Sequence, residues 1–322
     1  MSEDSGTWDL RGRHVVVTGG AGFVGSHICE ALVEAGAHVT AVDNLSSGSS
    51  HNLDRVADRV RLEVTALEAH DIHLLEGADL IIHTAANAYV PPSVDAPLYD
   101  FDVNLLLTLR LLEWCRAKAP ATRVILFSTA AVYGDTPRPA VEDSTPLDPI
   151  SPYGVSKLAA ERYGAVYSRL YGMPVTTLRC FPIYGPRQRK QVVYDVMTRM
   201  RSGGGRLTVL GDGTQRRSLC FVEDIARATT TLAHSAPFQG EAYNAGGVEP
   251  VSVAELVDMV AATLGLDPEV TFTGDVRRGD PQALISDSTK LGKLGWHPLV
   301  SMQDGLKRTF DWLRTDDATS AD

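Results

Sequence analysis

The chain has 322 residues, 44% of them hydrophobic and 22% charged, with 40 acidic residues against 30 lysines and arginines and a net charge of -10. This composition suits a globular protein with a large core, in one composite domain or two interlocked ones. The negative charge excludes a general binder of nucleic acids or membrane surfaces, because either would need a basic face.

The ends and the cysteines bear on the cellular location. The opening MSEDSGTWDL is polar and acidic, and no apolar run approaches the length of a membrane span, so we expect a cytoplasmic protein. The cysteines lie far apart without a C-x-x-C pair, which indicates reduced thiols rather than a disulfide framework or a zinc site. We therefore expect no bound metal.

The first half of the chain alternates short β-rich runs with helical segments. RHVVVTG, HVTAVD, RVRLEV, ADLIIHTAA, TRVILFS and PVTTLRCF predict strands, and FVGSHICEALVEAG and LYDFDVNLLLTLRLLEWCRAK predict helices between them. This alternation indicates a parallel sheet covered by helices on both faces, a doubly wound α/β fold.

A glycine-rich turn joins the first strand to the first helix. In TGGAGFVGSH, Gly19, Gly22 and Gly25 allow a tight turn, a close approach of the backbone to a pyrophosphate, and close packing of helix on strand. Asp43, at the end of the second strand, is the expected carboxylate for the adenosine ribose, and its charge would repel a 2′-phosphate. The pattern predicts NAD rather than NADP, although Asp43 or Asn44 could instead cap a helix.

Two further motifs suggest chemistry beside this cofactor. The strand TRVILFS ends at Ser128 and Thr129, whose hydroxyls can reach a ligand at the sheet edge. In SPYGVSKLAAERY, Tyr153 precedes Lys157 by one helical turn, so the ammonium can stabilise a phenolate. Alone the spacing is common, but beside a nicotinamide it predicts a base for the proton of a carbinol, with the phenol pKa lowered towards neutrality by Lys157 and the positive nicotinamide ring together.

After Arg179 the composition of the chain changes. Loops rich in glycine, proline and arginine follow, including YGPRQRKQ, RSGGGR and GDGTQRRS. We interpret residues 11–182 as the dinucleotide-binding Rossmann domain, completed by residues 221–247. A smaller substrate lobe is expected from residues 183–220 and 248–315. Arginines in these loops suit a diphosphate, because the guanidinium fork matches phosphate oxygens, although several could be solvated loop residues.

Taken together, these motifs resemble the extended short-chain dehydrogenase/reductase family. The likeness is to its NAD-dependent nucleotide-sugar epimerase/dehydratase branch, including UDP-hexose and UDP-glucuronate 4-epimerases. The resemblance covers nearly the whole chain and rests on TGGAGFVGSH, VDNLSSG, HTAA, STAAVYGD, SPYGVSKLAAE, RCFPIYGPRQ, GDGTQRRSLCFVED and RRGDPQALISDSTKLGKLGW, in this order.

The resemblance implies a tightly held NAD and a nucleoside-diphosphate sugar, most often a UDP-sugar. By position, Thr129 is the hydroxyl that bonds the sugar, Tyr153 the base and Lys157 its partner. Other positions carried over are Phe23, Val24, Ala85, Ala86 and Asn104 for the cofactor, and Arg217, Arg277 and Asp280 for the substrate. It also implies a homodimer through the two helices predicted over LYDFDVNLLLTLRLLEWCRAK and SPYGVSKLAAERYGAVYSRLYG. The alternative is that both helices are simply buried within one subunit.

Three positions depart from the family pattern. Thr65 and Ala66 stand where relatives usually have an Asp and an aliphatic residue for the adenine, and Pro182 replaces an Asn that touches the diphosphate. Two more bear on the sugar. Leu284 stands where relatives gate the C2 substituent, although it could be a core leucine, and Arg189 is a candidate partner for a hexuronate carboxylate.

Three classes of function remain open on these residues. The first is C4 epimerisation of a UDP-hexose or UDP-hexuronic acid through a 4-keto intermediate. The second is another enzyme of the same fold, either a dehydratase, a decarboxylase or a 4-ketoreductase. The third is a non-catalytic NAD-binding protein, which would have no need of Thr129, Tyr153 and Lys157. Because Ala130 and Ala131 follow Thr129 where dehydratases carry Asp-Glu, the sequence favours the epimerase.

Overall fold

The computed structural model describes residues 8–67, 72–275 and 278–319. The strands in this part of the chain are β1 His14–Thr18, β2 His38–Asp43, β3 Val60–Val64, β4 Leu80–His83, β5 Arg123–Thr129, β6 Thr136–Ala140, β7 Val175–Cys180, β8 Ile183–Tyr184, β9 Arg206–Val209, β10 Arg216–Arg217, β11 Cys220–Phe221, β12 Gln239–Ala245, β13 Val251–Ser252, β14 Glu269–Phe272 and β15 Ala283–Ser286.

The α-helices of the same residues are α1 Phe23–Glu34, α2 Val90–Asp95, α3 Pro97–Phe101, α4 Leu107–Lys118, α5 Pro152–Tyr171, α6 Val192–Ser202, α7 Val222–Ser235, α8 Val253–Leu264, α9 Thr289–Gly292 and α10 Met302–Thr319. None of these described helices is long and apolar enough to cross a membrane.

A seven-stranded sheet forms the centre of the fold, in the order β12-β7-β5-β4-β1-β2-β3. Every neighbouring pair is parallel, so all six strands predicted from the sequence are confirmed and lie in one sheet. The chain winds outwards in both directions from β1, and the strand order reverses between β1 and β4. Ligands of such sheets bind at the carboxyl ends of the strands beside this reversal.

Alternation along β1 divides the core between the two faces of the sheet. Val15 and Val17 pack in one buried cluster with α1 and α7, whereas Val16 packs in a second cluster with α4 and α5. All three valines are fully buried. Each buried valine contributes about 2 kcal/mol relative to an exposed one. The two faces therefore hold β1, and the turn that follows it, in a fixed position.

The smaller lobe contains a second sheet in the order β13-β10-β15-β6, and α6, α8 and α10 pack around a separate core. The strand β12 joins the large sheet by pairing with β7, in line with the expectation that residues 221–247 complete it. The strand β6 differs from the predicted division. It lies within residues 11–182 but pairs with β15, because the turn Ala130–Tyr133 leads the chain across the carboxyl edge into the smaller lobe.

The predicted helix over residues 98–118 is interrupted. Asp102–Leu106 form one π-helical turn between α3 and α4. The amide of Asn104 at this turn donates to the Asp100 carboxylate at 2.7 Å and to the carbonyl of Asn87, and it accepts from the Asn87 N–H at 3.0 Å. These side-chain bonds draw the backbone out of regular α-helix, as is common for π-turns near functional sites.

Candidate active site

A cleft of about 990 Å³ lies between the carboxyl edge of the large sheet and the smaller lobe. With two exceptions, every residue that the sequence predicted as a site residue lines this cleft. Arg277 lies outside the described residues. Asn104 lies behind the cleft wall, where it is 1% exposed and fixes the loop at Asn87 instead of forming part of the lining.

The glycine-rich turn forms one end of the cleft. Gly19 has φ 71°, a conformation that side chains rarely adopt. A Cβ on Gly25 would lie 2.1 Å from the carbonyl oxygen of Gly19, so only glycine lets α1 begin this close to β1. No side chain caps α1, whose first residues Phe23 and Val24 line the cleft with Gly22. A free helix N-terminus above a glycine cradle fits a pyrophosphate.

Asp43 lies 8% exposed beside this turn. One carboxylate oxygen accepts from the N–H of Ala21 at 3.0 Å and the other from the N–H of Leu45 at 2.8 Å. Neither Asp43 nor Asn44 caps a helix, because the Asn44 side chain accepts from the N–H of Ser46. Each Asp43 oxygen keeps a lone pair for a ribose hydroxyl, and the carboxylate disfavours a 2′-phosphate.

The walls next to Asp43 are small and mostly apolar. Thr65 and Ala66 line the cleft at the end of β3, and Ala85 and Ala86 line it after β4. The N–H of Thr65 donates to the carbonyl of Asp43 at 3.0 Å, and its hydroxyl donates to the carbonyl of Ala66 at 3.2 Å. Neither Thr65 nor Ala66 supplies a carboxylate to an adenine, which is consistent with the departure noted in the sequence.

The predicted reactive residues converge at the centre of the cleft. Ser128 and Thr129 end β5, and Tyr153 and Lys157 project from the first turns of α5, which begins after Ser151 caps its N-terminus. Thr129 forms a side-chain hydrogen bond with the Tyr153 phenol. Lys157 is 4% exposed. The hydroxyls of Ser128 and Thr129, the Tyr153 phenol and the Lys157 amine therefore line the same cleft.

Burial governs the pKa values of the expected base and its partner. It raises the pKa of the Tyr153 phenol well above its ordinary value, against the lowering effect of its hydrogen bond with Thr129. Burial also lowers the pKa of Lys157 to about 8, opposed by the charge of Glu161. A buried phenol and a buried amine both favour their neutral forms. Lys157 alone is therefore insufficient to make Tyr153 a phenolate, and a further positive charge at the site is required.

Several buried polar atoms on the cleft wall have no partner among the described residues. They are Asn87 Nδ2, Ser128 Oγ, Gln188 Oε1 and Gln215 Oε1. Buried polar atoms in proteins are normally hydrogen-bonded, so unpaired donors and acceptors on one wall indicate the place of a polar ligand. Gln188 and Gln215 were not singled out in the sequence, because a glutamine in a loop carries no signal of its burial.

The smaller lobe supplies the opposite wall. Arg217 is 8% exposed, and it donates to the Asp280 carboxylate at 2.9 Å and to the carbonyl of Pro281 at 2.7 Å. Leu284 lines the cleft and also packs in a buried cluster with Phe181. Its position is therefore compatible both with a residue beside the sugar and with a core leucine. Pro182 lines the cleft without an N–H to offer, and its carbonyl accepts from Cys220.

Arg189, the candidate for a substrate carboxylate, already has a carboxylate partner. Its guanidinium pairs with Asp316 at 2.7 Å and lies 5.5 Å from the ring centroid of Trp312, both on α10. The arginine remains on the cleft wall, but its charge is compensated from within the chain.

Behind the reactive residues, His83 ties three elements together. Its Nδ1 lies 2.7 Å from the Thr18 hydroxyl and its Nε2 lies 3.1 Å from the Thr108 hydroxyl. Burial and then the charge of Lys157 lower the pKa of His83 to about 3. The ring is therefore neutral at physiological pH and can donate through one nitrogen while accepting through the other.

We expect His83 to make the protein sensitive to acid. Its folded-state pKa is below its ordinary value of 6.5, so the native state excludes a proton that the unfolded chain binds. The contribution of His83 to the free energy of unfolding is thus complete above pH 6.5. It is lost as the pH falls towards 3, with about 2 kcal/mol lost at pH 5. Urea unfolding at pH 7 and pH 5 should show a smaller difference for His83→Gln than for the wild type. His51→Gln, at a ring that is 87% exposed, is the control. An unchanged difference in His83→Gln would contradict this assignment.

The fold and site define an α/β enzyme that binds a dinucleotide at a glycine-rich helix N-terminus and carries a Tyr-Lys pair beside it. The model of the NAD dependent epimerase/dehydratase family matches residues 15–246. The chain belongs to this family, and its cofactor is NAD.

Two curated relatives represent different activities within this family. The chain is 31% identical to the UDP-glucose 4-epimerase of Mycolicibacterium smegmatis, covering 93% of this chain and 98% of that protein. It is also 31% identical to the dTDP-glucose 4,6-dehydratase of Neisseria gonorrhoeae, covering 93% and 95%. The reaction is therefore not determined by the family alone.

A solved structure extends the likeness to the whole fold. The UDP-glucuronic acid 4-epimerase of Bacillus cereus, in complex with UDP-glucuronic acid and NAD, superposes with a TM-score of 0.87 at 30% identity. The match covers 94% of this chain and 99% of that one. The resemblance inferred from the sequence motifs is thus confirmed at the level of family, fold and cofactor.

Proposed function

We propose that the protein is a 4-epimerase of a UDP-hexose. The observation that carries this proposal is the pair of methyl groups beside the reactive residues. Ala130 and Ala131 follow Thr129 directly, and both line the cleft. A 4,6-dehydration needs an acid for the leaving hydroxyl and a base for the C5 proton, and methyl groups transfer neither.

Epimerisation needs only the groups that surround the centre of the cleft. Bound NAD supplies an acceptor and donor of a hydride. Thr129 bonds the sugar hydroxyl at C4, and Tyr153 removes and later returns its proton. Between these proton transfers, the 4-keto sugar turns its other face to the cofactor. The positive nicotinamide ring adds the charge that Tyr153 needs in order to ionise.

The alternatives need groups that these positions do not offer. Relatives that decarboxylate a hexuronate usually carry Glu at the position of Ala131. Asp43 opposes a ketoreductase that consumes NADPH, because its carboxylate repels a 2′-phosphate. A purely NAD-binding protein would gain nothing from Thr129, Tyr153 and Lys157 together on the cleft wall. The dehydratase remains the second candidate, since members of the same family catalyse that reaction.

The substrate assignment rests on the walls of the smaller lobe. Arg217 offers a guanidinium for a diphosphate, with Asp280 beside it, and Arg277 is proposed from its position in the sequence. The Arg189–Asp316 pair favours a neutral hexose over a hexuronic acid. Leu284 lines the cleft. If it lies beside the sugar C2, its intermediate size predicts weak turnover of an N-acetylhexosamine.

A panel of three UDP-sugars tests this assignment. We expect kcat/KM for UDP-glucose to exceed that for UDP-glucuronate and UDP-N-acetylglucosamine by about tenfold, equivalent to roughly 1.4 kcal/mol of transition-state binding. The assay follows the C4 epimer by nuclear magnetic resonance. Equal or greater turnover of UDP-glucuronate would reject the neutral-sugar assignment. Absence of any C4 epimer from all three would reject the epimerase.

We further propose a homodimer that pairs residues 98–118 and α5 with their copies. Large apolar residues are exposed on α3, at the start of the first segment, and on α5. Leu98 is 80% exposed and Leu170 is 70% exposed, and others are Tyr99, Phe101, Val155, Tyr163 and Tyr171. Exposed apolar residues concentrated on two neighbouring helices suit a contact with another chain. Sedimentation equilibrium would test the proposal, with a monomer at micromolar concentration as the contrary result.

A further inference from the structure

The loop between β8 and α6, residues 185–191, forms a wall of the cleft through Arg187, Gln188, Arg189, Lys190 and Gln191. Arg187 has φ 73° and Gln191 has φ 75°, in the left-handed region that bulky residues rarely occupy. Such residues persist only when the surrounding structure holds them, and they cluster at ligand sites. Contacts from outside the loop must therefore keep it in this conformation.

Helix α1 provides those contacts through Arg187. Nη1 of Arg187 donates to the Ser26 hydroxyl at 3.1 Å and to Nδ1 of His27 at 2.9 Å, and Nη2 forms an ion pair with Glu30. The side chains of Arg187 and Glu30 are 10% and 18% exposed. Hydrogen bonds and charges that are shielded from water in this way interact more strongly than exposed ones. We call Arg187, Ser26, His27 and Glu30 the Arg187 clamp.

The clamp reaches the glycine-rich end of the cleft through His27. Burial, followed by the charge of Arg187, lowers the pKa of His27 to about 3, so the neutral ring accepts from the guanidinium. The ring packs edge-on against Phe23 with centroids 6.1 Å apart, and Phe23 lines the cleft at the first residue of α1. The Ser26 hydroxyl donates to the carbonyl of Phe23 at 3.1 Å.

Within the loop, the clamp holds Gln188, the residue that follows Arg187. Gln188 is 3% exposed, and its Nε2 donates to the carbonyl of Ile183 at 2.8 Å. Its Oε1 has no partner among the described residues. A buried acceptor without a partner on a cleft wall is positioned for a ligand donor, and a small shift of the loop would misplace it.

We propose that Arg187 is a positioning residue that ties the sugar-nucleotide wall of the cleft to the dinucleotide wall. This inference rests on the proposed function, because it takes α1 as the wall for the dinucleotide and residues 185–191 as a wall for the sugar nucleotide. Without the clamp, Arg187 and Gln191 relax out of the left-handed region, and the loop moves away from α1. Both ligands then bind to a looser cleft.

Glu30→Gln tests the clamp without touching the cleft, because Glu30 does not line it. The variant keeps the shape and an acceptor but removes the charge that holds Arg187. We expect NAD to dissociate from the purified holoenzyme about tenfold faster and UDP to bind the holoenzyme about tenfold more weakly by calorimetry. Neither measurement depends on turnover. A wild type that does not epimerise at C4 would thus reject the proposed function while leaving this test intact.

Two further variants separate positioning from a loss of stability. Arg187→Gln leaves Glu30 unpaired and should weaken UDP binding more than Glu30→Gln. The double variant restores an amide-to-amide hydrogen bond and should recover part of that loss. Lys290→Gln breaks an ion pair with Asp143, neither residue of which lines the cleft, and serves as the control for stability alone. Strictly additive effects, or a lower melting temperature with unchanged NAD dissociation and UDP binding, would overturn the proposal.

Discussion

Replacing Tyr153 with phenylalanine should lower kcat by two to four orders of magnitude, the usual effect of removing a positioned proton-transfer group. The change deletes only the phenol oxygen, which forms a hydrogen bond with Thr129. The ring keeps its packing, so the binding of UDP and the content of NAD should stay within about threefold, less than 1 kcal/mol. Initial rates and UDP calorimetry on the same preparation measure both quantities.

Tyr163→Phe is the matched control for this variant. Tyr163 lies on the same helix, α5, but is 40% exposed and does not line the cleft. Its kcat should equal that of the wild type. A Tyr153→Phe protein that keeps more than about a tenth of the wild-type rate would remove Tyr153 from the mechanism, because general acid-base catalysis contributes at least a hundredfold.

Replacing Gly25 with alanine should abolish the retention of NAD. The new Cβ would lie 2.1 Å from the carbonyl oxygen of Gly19 and 2.8 Å from its carbonyl carbon, and both contacts are to backbone that cannot rotate away. The first turn of α1 must therefore move away from the glycine-rich turn. Overpacking of this kind costs about 3 kcal/mol, which corresponds to a roughly hundredfold loss of affinity if it falls on the bound state.

The NAD content of the purified variant is measured from the ratio of its nucleotide absorbance to its protein absorbance. Gly292→Ala is the control, because a Cβ there meets nothing within 4 Å. It should retain NAD as the wild type does and show an unchanged or slightly higher melting temperature. A Gly25→Ala protein that retains stoichiometric NAD would show that the cofactor does not bind at this helix N-terminus.

The large sheet was predictable because each strand carries its own signal. The runs from RHVVVTG to PVTTLRCF are apolar and β-branched, and a parallel sheet buried on both faces demands such runs. The glycine-rich turn was also predictable, because its three glycines have a fixed spacing. At Gly25 no residue with a Cβ would fit. Each of these signals lies within a short stretch of sequence. The sheet edge and most residues of the cleft could therefore be predicted.

The features that were missed depend on contacts distant in sequence. The π-turn at Asn104 arises from bonds to Asn87, 17 residues earlier, and β6 joins the smaller sheet through β15, far along the chain. Arg187 lies in an arginine-rich loop of the sequence, and its partners on α1 lie about 160 positions away. No periodicity or spacing in a single sequence reports such pairings.

The pKa of Tyr153 shows the same limit. The sequence predicts that Lys157 and a positive nicotinamide ring together lower the phenol pKa, but it does not report the burial that they must overcome. Burial raises the phenol pKa, and the same burial lowers the pKa of Lys157 to about 8. The degree of desolvation is a property of the folded cleft, which no spacing along one helix reports.

The fate of the C5 hydrogen tests the central claim most directly. The enzyme would be incubated with UDP-glucose in deuterated water without added NAD or NADH, and the products analysed by nuclear magnetic resonance. A 4-epimerase gives UDP-galactose with no deuterium at C5, and it consumes no external cofactor and releases no water. Deuterium at C5 or a 6-deoxy-4-keto sugar would contradict the account, since each requires proton transfers that Ala130 and Ala131 cannot perform.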